Sequence, residues 1–118
     1  MRNMNPLKTL IIDDEWLIRL ELRKMLKIYD KIDVVGEASN VTDARQLIQQ
    51  LQPDVIFLDI QMTDESGFDL LRKNTGNFKT IFVSAFENFK KEAQAFNPVD
   101  FLMKPINRDK LCGVIEKL

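Results

Sequence analysis

Four positions in the chain place a residue able to do chemistry directly after a short apolar run. Asp13, Asp14 and Glu15 follow Leu7 to Ile12, Asp59 follows Val55 to Leu58, Ser84 follows Thr80 to Val83, and Lys104, with Pro105 after it, follows Val99 to Met103. Three carboxylates brought together repel one another unless a cation is shared between them. Oxygen ligands with no imidazole or thiolate beside them suit Mg2+. A magnesium ion beside a carboxylate also neutralises an incoming phosphoryl group, so that the carboxylate can act as nucleophile and form an aspartyl phosphate. In that chemistry Ser84 offers a hydroxyl hydrogen bond, and Lys104 a compact positive charge, to the phosphate oxygens.

Each residue taken alone has a plainer reading. Asp13 and Asp14 could cap a helix, since acids favour helix starts. Asp59 could be a turn residue, Ser84 a polar strand end and Lys104 a solvated surface charge. These readings leave unexplained why four such positions, in an order that suits one chemistry, each sit at the end of an apolar strand.

Alternating strand-like runs and helical stripes must position these residues. Leu7 to Ile12 reads as a buried strand, and Trp16 to Tyr29 as a helix carrying Leu17, Leu20, Leu22, Met25, Leu26 and Ile28. A second strand covers Ile32 to Ala38. Asn40 or Thr42 can cap a helix with Val41, Ala44, Leu47, Ile48 and Leu51 on one stripe, which Pro53 stops. Val55 to Leu58 is the third strand, and Gly67, Phe68, Leu70 and Leu71 open a short helix. Gly76 and Asn77 turn the chain into strand Thr80 to Val83. A helix from about Glu87 to Phe96, a strand from Val99 to Met103 and a last helix bearing Leu111, Val114, Ile115 and Leu118 complete five βα units. Strands apolar on both faces and alternating with helices predict an α/β fold, a parallel sheet covered on both sides and joined by right-handed crossovers. Ligands of such sheets gather beyond the carboxyl ends of the strands, where the acids, Ser84 and Lys104 would meet.

Composition limits the alternatives. The chain has 118 residues, 45% hydrophobic and 30% charged, which predicts one folded domain over 1–118. With 17 basic against 18 acidic residues the net charge is -1, so no basic field gathers nucleic acid or anionic lipid. Cys112 is the only cysteine, which excludes an internal disulfide and points to a reducing cytoplasm. No apolar run approaches the ~20 residues of a membrane span, and the N-terminus meets three acids before a signal-peptide core could form. Histidine is absent, so the chain cannot supply its own phosphohistidine and any such donor acts in trans.

Together IIDDE at 11–15, FLDIQM at 57–62, IFVSA at 81–85 and DFLMKP at 100–105 resemble the receiver domain of two-component response regulators, across essentially the whole chain. The segment FVSAFENFKKEAQAFNPVDFLMKPI at 82–106 is similar to receivers that precede a LytTR-type DNA-binding domain. The resemblance implies a flavodoxin-like (βα)5 doubly wound fold with strand order 2-1-3-4-5. It implies that Asp59 accepts a phosphoryl group from a sensor histidine kinase, and that Asp14 and Asp59 bind Mg2+ directly. Asp13 would act through water, and the Gln61 backbone carbonyl would add a ligand. Ser84 and Lys104 would hold the phosphate, Phe101 would turn inward as Ser84 moves, and the Lys104–Pro105 peptide would be cis. Periodicity alone reads Phe101 as core. The helix from Glu87 to Phe96, the fifth strand and the last helix would form the output face, used for a homodimer or for partner docking. DNA would be reached only through an output domain outside this chain, which is thus a stand-alone receiver or the regulatory part of a transcriptional regulator.

The chain departs from the family pattern at Thr63, where many members carry proline, and at Asp64 and Glu65, which make the loop unusually acidic. Those acids could tune metal affinity or be solvated surface, and we take them as solvated surface. A haloacid-dehalogenase-like phosphatase also forms an aspartyl phosphate, at a DxDxT pattern partly matched by DIQMT at 59–63. Its second carboxylate, the general acid, is replaced here by Gln61, and its motif follows the first strand rather than the third. A receiver fold kept only as an interaction module is a third reading, opposed by the intact set of acids. Cys112 and Trp16 are given no role.

Overall fold

The computed structural model describes residues 5–73 and 76–118. Residues 1–4, which entered the reading of the N-terminus, lie outside that range. The chain forms β1 (Leu7–Ile12), α1 (Trp16–Leu26), β2 (Ile32–Ala38), α2 (Val41–Leu51), β3 (Val55–Asp59), α3 (Gly67–Lys73), β4 (Lys79–Ser84), α4 (Lys90–Ala93), β5 (Asp100–Met103) and α5 (Arg108–Glu116). All strand pairs are parallel, in the order β2-β1-β3-β4-β5.

Alternation along each strand divides the core into two layers, as period-2 geometry requires. Leu10, Ile12, Ile56, Leu58 and Phe82 face Val41, Ala44 and Ile48 of α2, Phe68 and Leu70 of α3 and Ala93 of α4. Ile11, Val55, Phe57, Ile81, Val83 and Leu102 face Leu22 and Leu26 of α1 and Leu111, Val114 and Ile115 of α5. Phe68 stacks on Phe96 at 5.3 Å and meets Phe82 edge-on at 5.4 Å, which ties α3 and the α4 segment to the sheet.

Local chemistry sets most boundaries. Asn40 caps α2, its side chain accepting from the Asp43 amide at 2.7 Å, whereas Thr42 lies inside the helix. Gln52, at φ 47°, closes that helix in the left-handed region just before Pro53. Asn107 caps α5 through the Asp109 and Lys110 amides.

Two expected helices differ from the sequence reading. α1 stops at Leu26 rather than Tyr29, because the Tyr29 amide turns back to the Leu26 carbonyl and Leu7 N donates to Lys31 O as the chain enters β2. Tyr29 then packs against the α1/α5 layer and Ile28 is left 75% exposed. The segment from Glu87 to Phe96 is not one α-helix but a single α-turn, α4, between 3₁₀ turns at Glu87–Phe89 and Gln94–Phe96. Ala93 is the one buried residue in these ten positions, so little apolar face is available to stabilise a longer helix.

Gly67 opens α3 against the end of β3, where its amide donates to Ile60 O at 2.7 Å. A β-carbon there would lie 2.4 Å from the Asp59 carbonyl oxygen and 3.0 Å from Leu58 Cγ, so the backbone would have to move. Gly113, inside α5, has nothing within 4 Å of the same position. Gly67→Ala should therefore lower unfolding stability by about 2 kcal/mol, whereas Gly113→Ala should raise it by about 0.5–1 kcal/mol through helix propensity, both read from urea unfolding. Equal effects at the two positions would contradict this packing.

Candidate functional site

Strand order and register bring the reactive residues to one edge. Ile12 pairs with Leu58, so Asp13 and Asp59 leave neighbouring strands side by side, in the crevice where connections from β1 and β3 diverge to opposite sides. Asp59 pairs with Val83 and Ser84 with Met103, which sets Ser84 and Lys104 beside them. Lys104 N donates to Ser84 O at 2.8 Å, and the Lys104–Pro105 peptide is cis.

Carboxylate oxygens of Asp13, Asp14 and Asp59 all lie within 4.8 Å of one another. Asp13 and Asp59 are buried and Asp14 is half-buried. The Lys104 ammonium, on a side chain only 8% exposed, sits 2.9 Å from Asp13 Oδ2, 3.1 Å from Glu15 Oε1 and 3.5 Å from Asp59 Oδ2. Although that close to Nζ, Asp13 Oδ2 lies off the line of a hydrogen bond and is a buried oxygen without a donor among the described residues. Asp13 Oδ1 accepts from the Glu15 amide at 2.9 Å and shapes the turn into α1, whose N-cap residue is Glu15. Asp13 thus shapes a turn ahead of α1 rather than capping it, because the N-cap position falls on Glu15, which makes no side-chain cap bond, and the turn uses only one Asp13 oxygen.

Burial pushes the Asp59 carboxyl up to about 7; the Asp13 charge adds to the rise, Lys104 opposes it, and Asp14 raises it further. Asp13 is also raised, chiefly by burial, against the pull of the Glu15 amide and Lys104. For Lys104, burial works against the charged form, but the close Asp13 carboxylate and the charge of Asp59 outweigh it and hold the proton more firmly than usual. Charge is therefore scarce here on the positive side. An all-oxygen cluster with an undonated buried oxygen fits a hard divalent cation such as Mg2+, which would supply the missing positive charge.

Ser84 is buried and occupied: its Oγ accepts from the Phe86 amide at 3.0 Å and donates to Phe86 O at 3.3 Å. Glu15, Asp59, Gln61, Ser84, Ala85, Phe86 and Lys104 line a small cavity of about 50 Å³. A larger cavity, about 550 Å³, opens beside Pro53, Asp54 and Phe78 at the amino ends of β3 and β4, far from these groups; Arg45 and Lys73 on its wall are engaged by Glu65. Phe101, half-buried, lies 6.4 Å from the Phe82 ring, and Lys90 Nζ sits 5.8 Å over its face.

Three contacts around the site escaped the sequence reading. Arg19 donates to the Asp13 carbonyl at 2.5 Å while its Nε lies 3.3 Å from Glu37 of β2, so it braces the acidic turn from inside α1. Its place one turn after Glu15 was the available signal. Glu15, grouped with the strand-end acids, is a partner of Lys104. Asp64 is exposed and Glu65 half-buried, at the surface as expected, yet both are engaged: Asp64 accepts hydrogen bonds from Val41 N, Thr42 N and Thr42 Oγ1 at the start of α2, and Glu65 forks onto Arg45 at 2.7 and 3.1 Å.

Among known proteins, the response regulator receiver domain family matches residues 9–116. The sensory transduction protein LytT of Enterococcus faecalis is 39% identical over 111 residues, covering 92% of this chain and 46% of LytT. An uncharacterized response regulatory protein of Vibrio cholerae is 38% identical over 114 residues, covering 95% of this chain and 48% of that protein. This chain thus spans about half the length of these curated relatives. The solved REC domain of AraT, a response regulator from Geobacillus stearothermophilus, superposes with a TM-score of 0.85 at 30% identity, covering 94% of this chain and 91% of that one. Five parallel strands in the order 2-1-3-4-5, an acidic cluster at their carboxyl edge and these matches agree: the chain belongs to the response regulator receiver domain family.

Proposed function

We propose that Asp59 is the phosphoacceptor of a two-component switch, taking its phosphoryl group from a phosphohistidine of a sensor histidine kinase. The observation that carries this reading is the meeting of Asp13, Asp14 and Asp59 within 4.8 Å, with Lys104 3.5 Å from Asp59. An Asp59 oxygen attacks phosphorus, the new P–O bond replaces the P–N bond, and the imidazole leaves with the electron pair. Asp13, Asp14, Asp59 and the Gln61 carbonyl would hold Mg2+, with Asp13 acting through water; when bound, the ion supplies charge neutralisation for the phosphoryl oxygens. Lys104 provides a second positive charge at the same place. Ser84 reaches the phosphate by giving up its bonds to the Phe86 backbone, and Phe101 turns inward as Ser84 moves.

Phosphorylation adds about -1.5 to -2 charges and three strong acceptors, sufficient to bias a two-state arrangement of nearby elements. The output face is the α4 segment, β5 and α5, used for a homodimer or for docking a partner. On that face Lys117 pairs with Asp100 at 2.7 Å and Lys90 with the Phe101 ring. The similarity to LytT, and to the transcriptional regulatory protein BtsR of Salmonella typhi at 36% identity, supports a role as the regulatory part of a transcription regulator whose DNA contacts lie outside this chain. No helix of the described residues is long and apolar enough to cross a membrane.

Incubation with acetyl phosphate and Mg2+ should add about 80 Da to the intact chain, one phosphoryl group on a carboxylate nucleophile, and nothing to Asp59→Asn. Rapid multiple turnover of a phosphomonoester would instead favour the phosphatase reading, and no addition to the wild type would favour an interaction module.

The electrostatics give a second test. Asp59 holds its proton up to about pH 7 when folded, against an ordinary value of 3.8. Between those values the folded state binds more protons than the unfolded state, so without divalent ions stability falls as pH rises through that window. At pH 7.5 without Mg2+, Asp59→Asn should be more stable than the wild type by about 1 kcal/mol or more, and added Mg2+ should stabilise the wild type more than the variant. Urea unfolding at pH 5 and 7.5 reads both; a variant no more stable than the wild type at pH 7.5 would contradict the account.

A further inference from the structure

Gln61 to Ser66 connect β3 to α3 without regular structure, and Thr63 among them leaves the backbone free where a cyclic residue would fix it. The segment is nevertheless held at both ends and from the side. Ile60 is buried and its carbonyl accepts from the Gly67 amide at 2.7 Å. Between these anchors the Asp64 carboxylate crosses to α2. Its Oδ1 accepts from Val41 N at 3.0 Å and from Glu65 N at 2.8 Å, and its Oδ2 from Thr42 N at 3.1 Å and Thr42 Oγ1 at 3.0 Å. Glu65 adds its fork to Arg45 and a contact to Lys73 Nζ at 3.4 Å.

First-turn amides of a helix have no partner within the helix, and their dipole favours an anion. Asn40 satisfies the Asp43 amide, and Asp64 satisfies two others from a distant segment. Because Val41, Ala44 and Ile48 are buried, α2 is a firm anchor. The Val41 amide, then those of Thr42 and Glu65 and the Thr42 hydroxyl, hold the Asp64 carboxyl well below the usual carboxylate range, so the contact stays charged near neutral pH. Three residues upstream, Gln61 lines the cavity beside Asp59. Mg2+ demands near-ideal octahedral geometry, so freedom in that loop translates into lost affinity.

We propose that Asp64 is a positioning residue that clamps the β3–α3 loop to the first turn of α2, fixes the Gln61 carbonyl and thereby sets how tightly the acidic cluster binds Mg2+. This deepens the proposed function and rests on its metal site. Asn40→Ala is the control, since it removes a cap from the same helix and leaves the clamp intact. By calorimetric titration, Asp64→Ala should weaken Mg2+ binding about ten-fold, as loss of a residue supporting a metal ligand typically does, and Asn40→Ala less than about two-fold. Asp64→Asn, whose amide oxygen still accepts from the α2 amides, should recover part of the loss. With no metal present, hydrogen exchange at Gly67 and across 61–66 should quicken in Asp64→Ala and stay unchanged in Asn40→Ala. Mg2+ affinity equal to wild type in Asp64→Ala, an equal loss in Asn40→Ala, or unchanged loop exchange would each overturn the proposal. A wild type that gives no Mg2+ binding would overturn the metal site itself, a failure told apart from that of the clamp by the metal-free exchange rates.

Discussion

Three carboxylates held together at a buried edge, with one ammonium to answer them, are the constraint around which this molecule is arranged. Asp13, Asp14 and Asp59 cannot separate, because the β1–β3 pairing sets Ile12 beside Leu58 and carries the acids along with it. Burial turns that proximity into strain on ionisation and drives Asp59 up to about 7, while Lys104 is shared among Asp13, Glu15 and Asp59. Such a cluster responds strongly to added charge of either sign. A divalent cation would relieve it, and on the proposed function a phosphoryl group would bring new negative charge for Lys104 and a released Ser84 to meet.

The rest of the fold keeps this edge in register. Two apolar layers on either side of the sheet stop β1 and β3 from sliding, since a slip of one residue would exchange the faces of Ile11 and Ile12. Arg19 fixes the backbone of the acidic turn, and the absence of a β-carbon at Gly67 lets α3 start against the Asp59 carbonyl. On the far side of the site, the α4 segment is a single α-turn between 3₁₀ turns, with Ala93 its one buried residue. Weak burial is the physical signature of an element that can shift at low cost, and it borders Ser84 and Phe101, where a change in charge would be felt first.

The strands and the acids were legible because both rest on local pattern. Apolar runs bounded by polar residues placed all five strands to within one residue at each end, and the strand-end position of Asp13, Asp59, Ser84 and Lys104 followed from them. Contacts between distant segments left no such pattern. Asp64 and Glu65 are surface acids as expected, but their engagement was not legible because Val41, Thr42 and Arg45, their partners, lie about twenty residues upstream. Arg19 looked like any exposed helix position. The stripe that carried α1 to Tyr29 was periodic through Ile28, but the turn into β2 took precedence and left Ile28 in solvent. The α4 segment differs for the opposite reason: helix-forming residues are present, but beyond the half-buried Phe89 and Phe96 only Ala93 is buried against the core.

Mn2+, a hard divalent ion that accepts the same oxygen ligands as Mg2+, offers the most direct test of the central claim through its paramagnetic broadening of amide signals. A titration followed by 15N–1H correlation spectra should first remove the signals of Asp13, Asp14, Asp59, Ile60 and Gln61, with Ser84 and Lys104 next. Asp54 and Phe78, at the other end of the sheet, should persist, and excess Mg2+ should restore the lost signals. Broadening that is uniform, or that centres on Asp64 and Glu65 rather than on the ends of β1 and β3, would contradict the account.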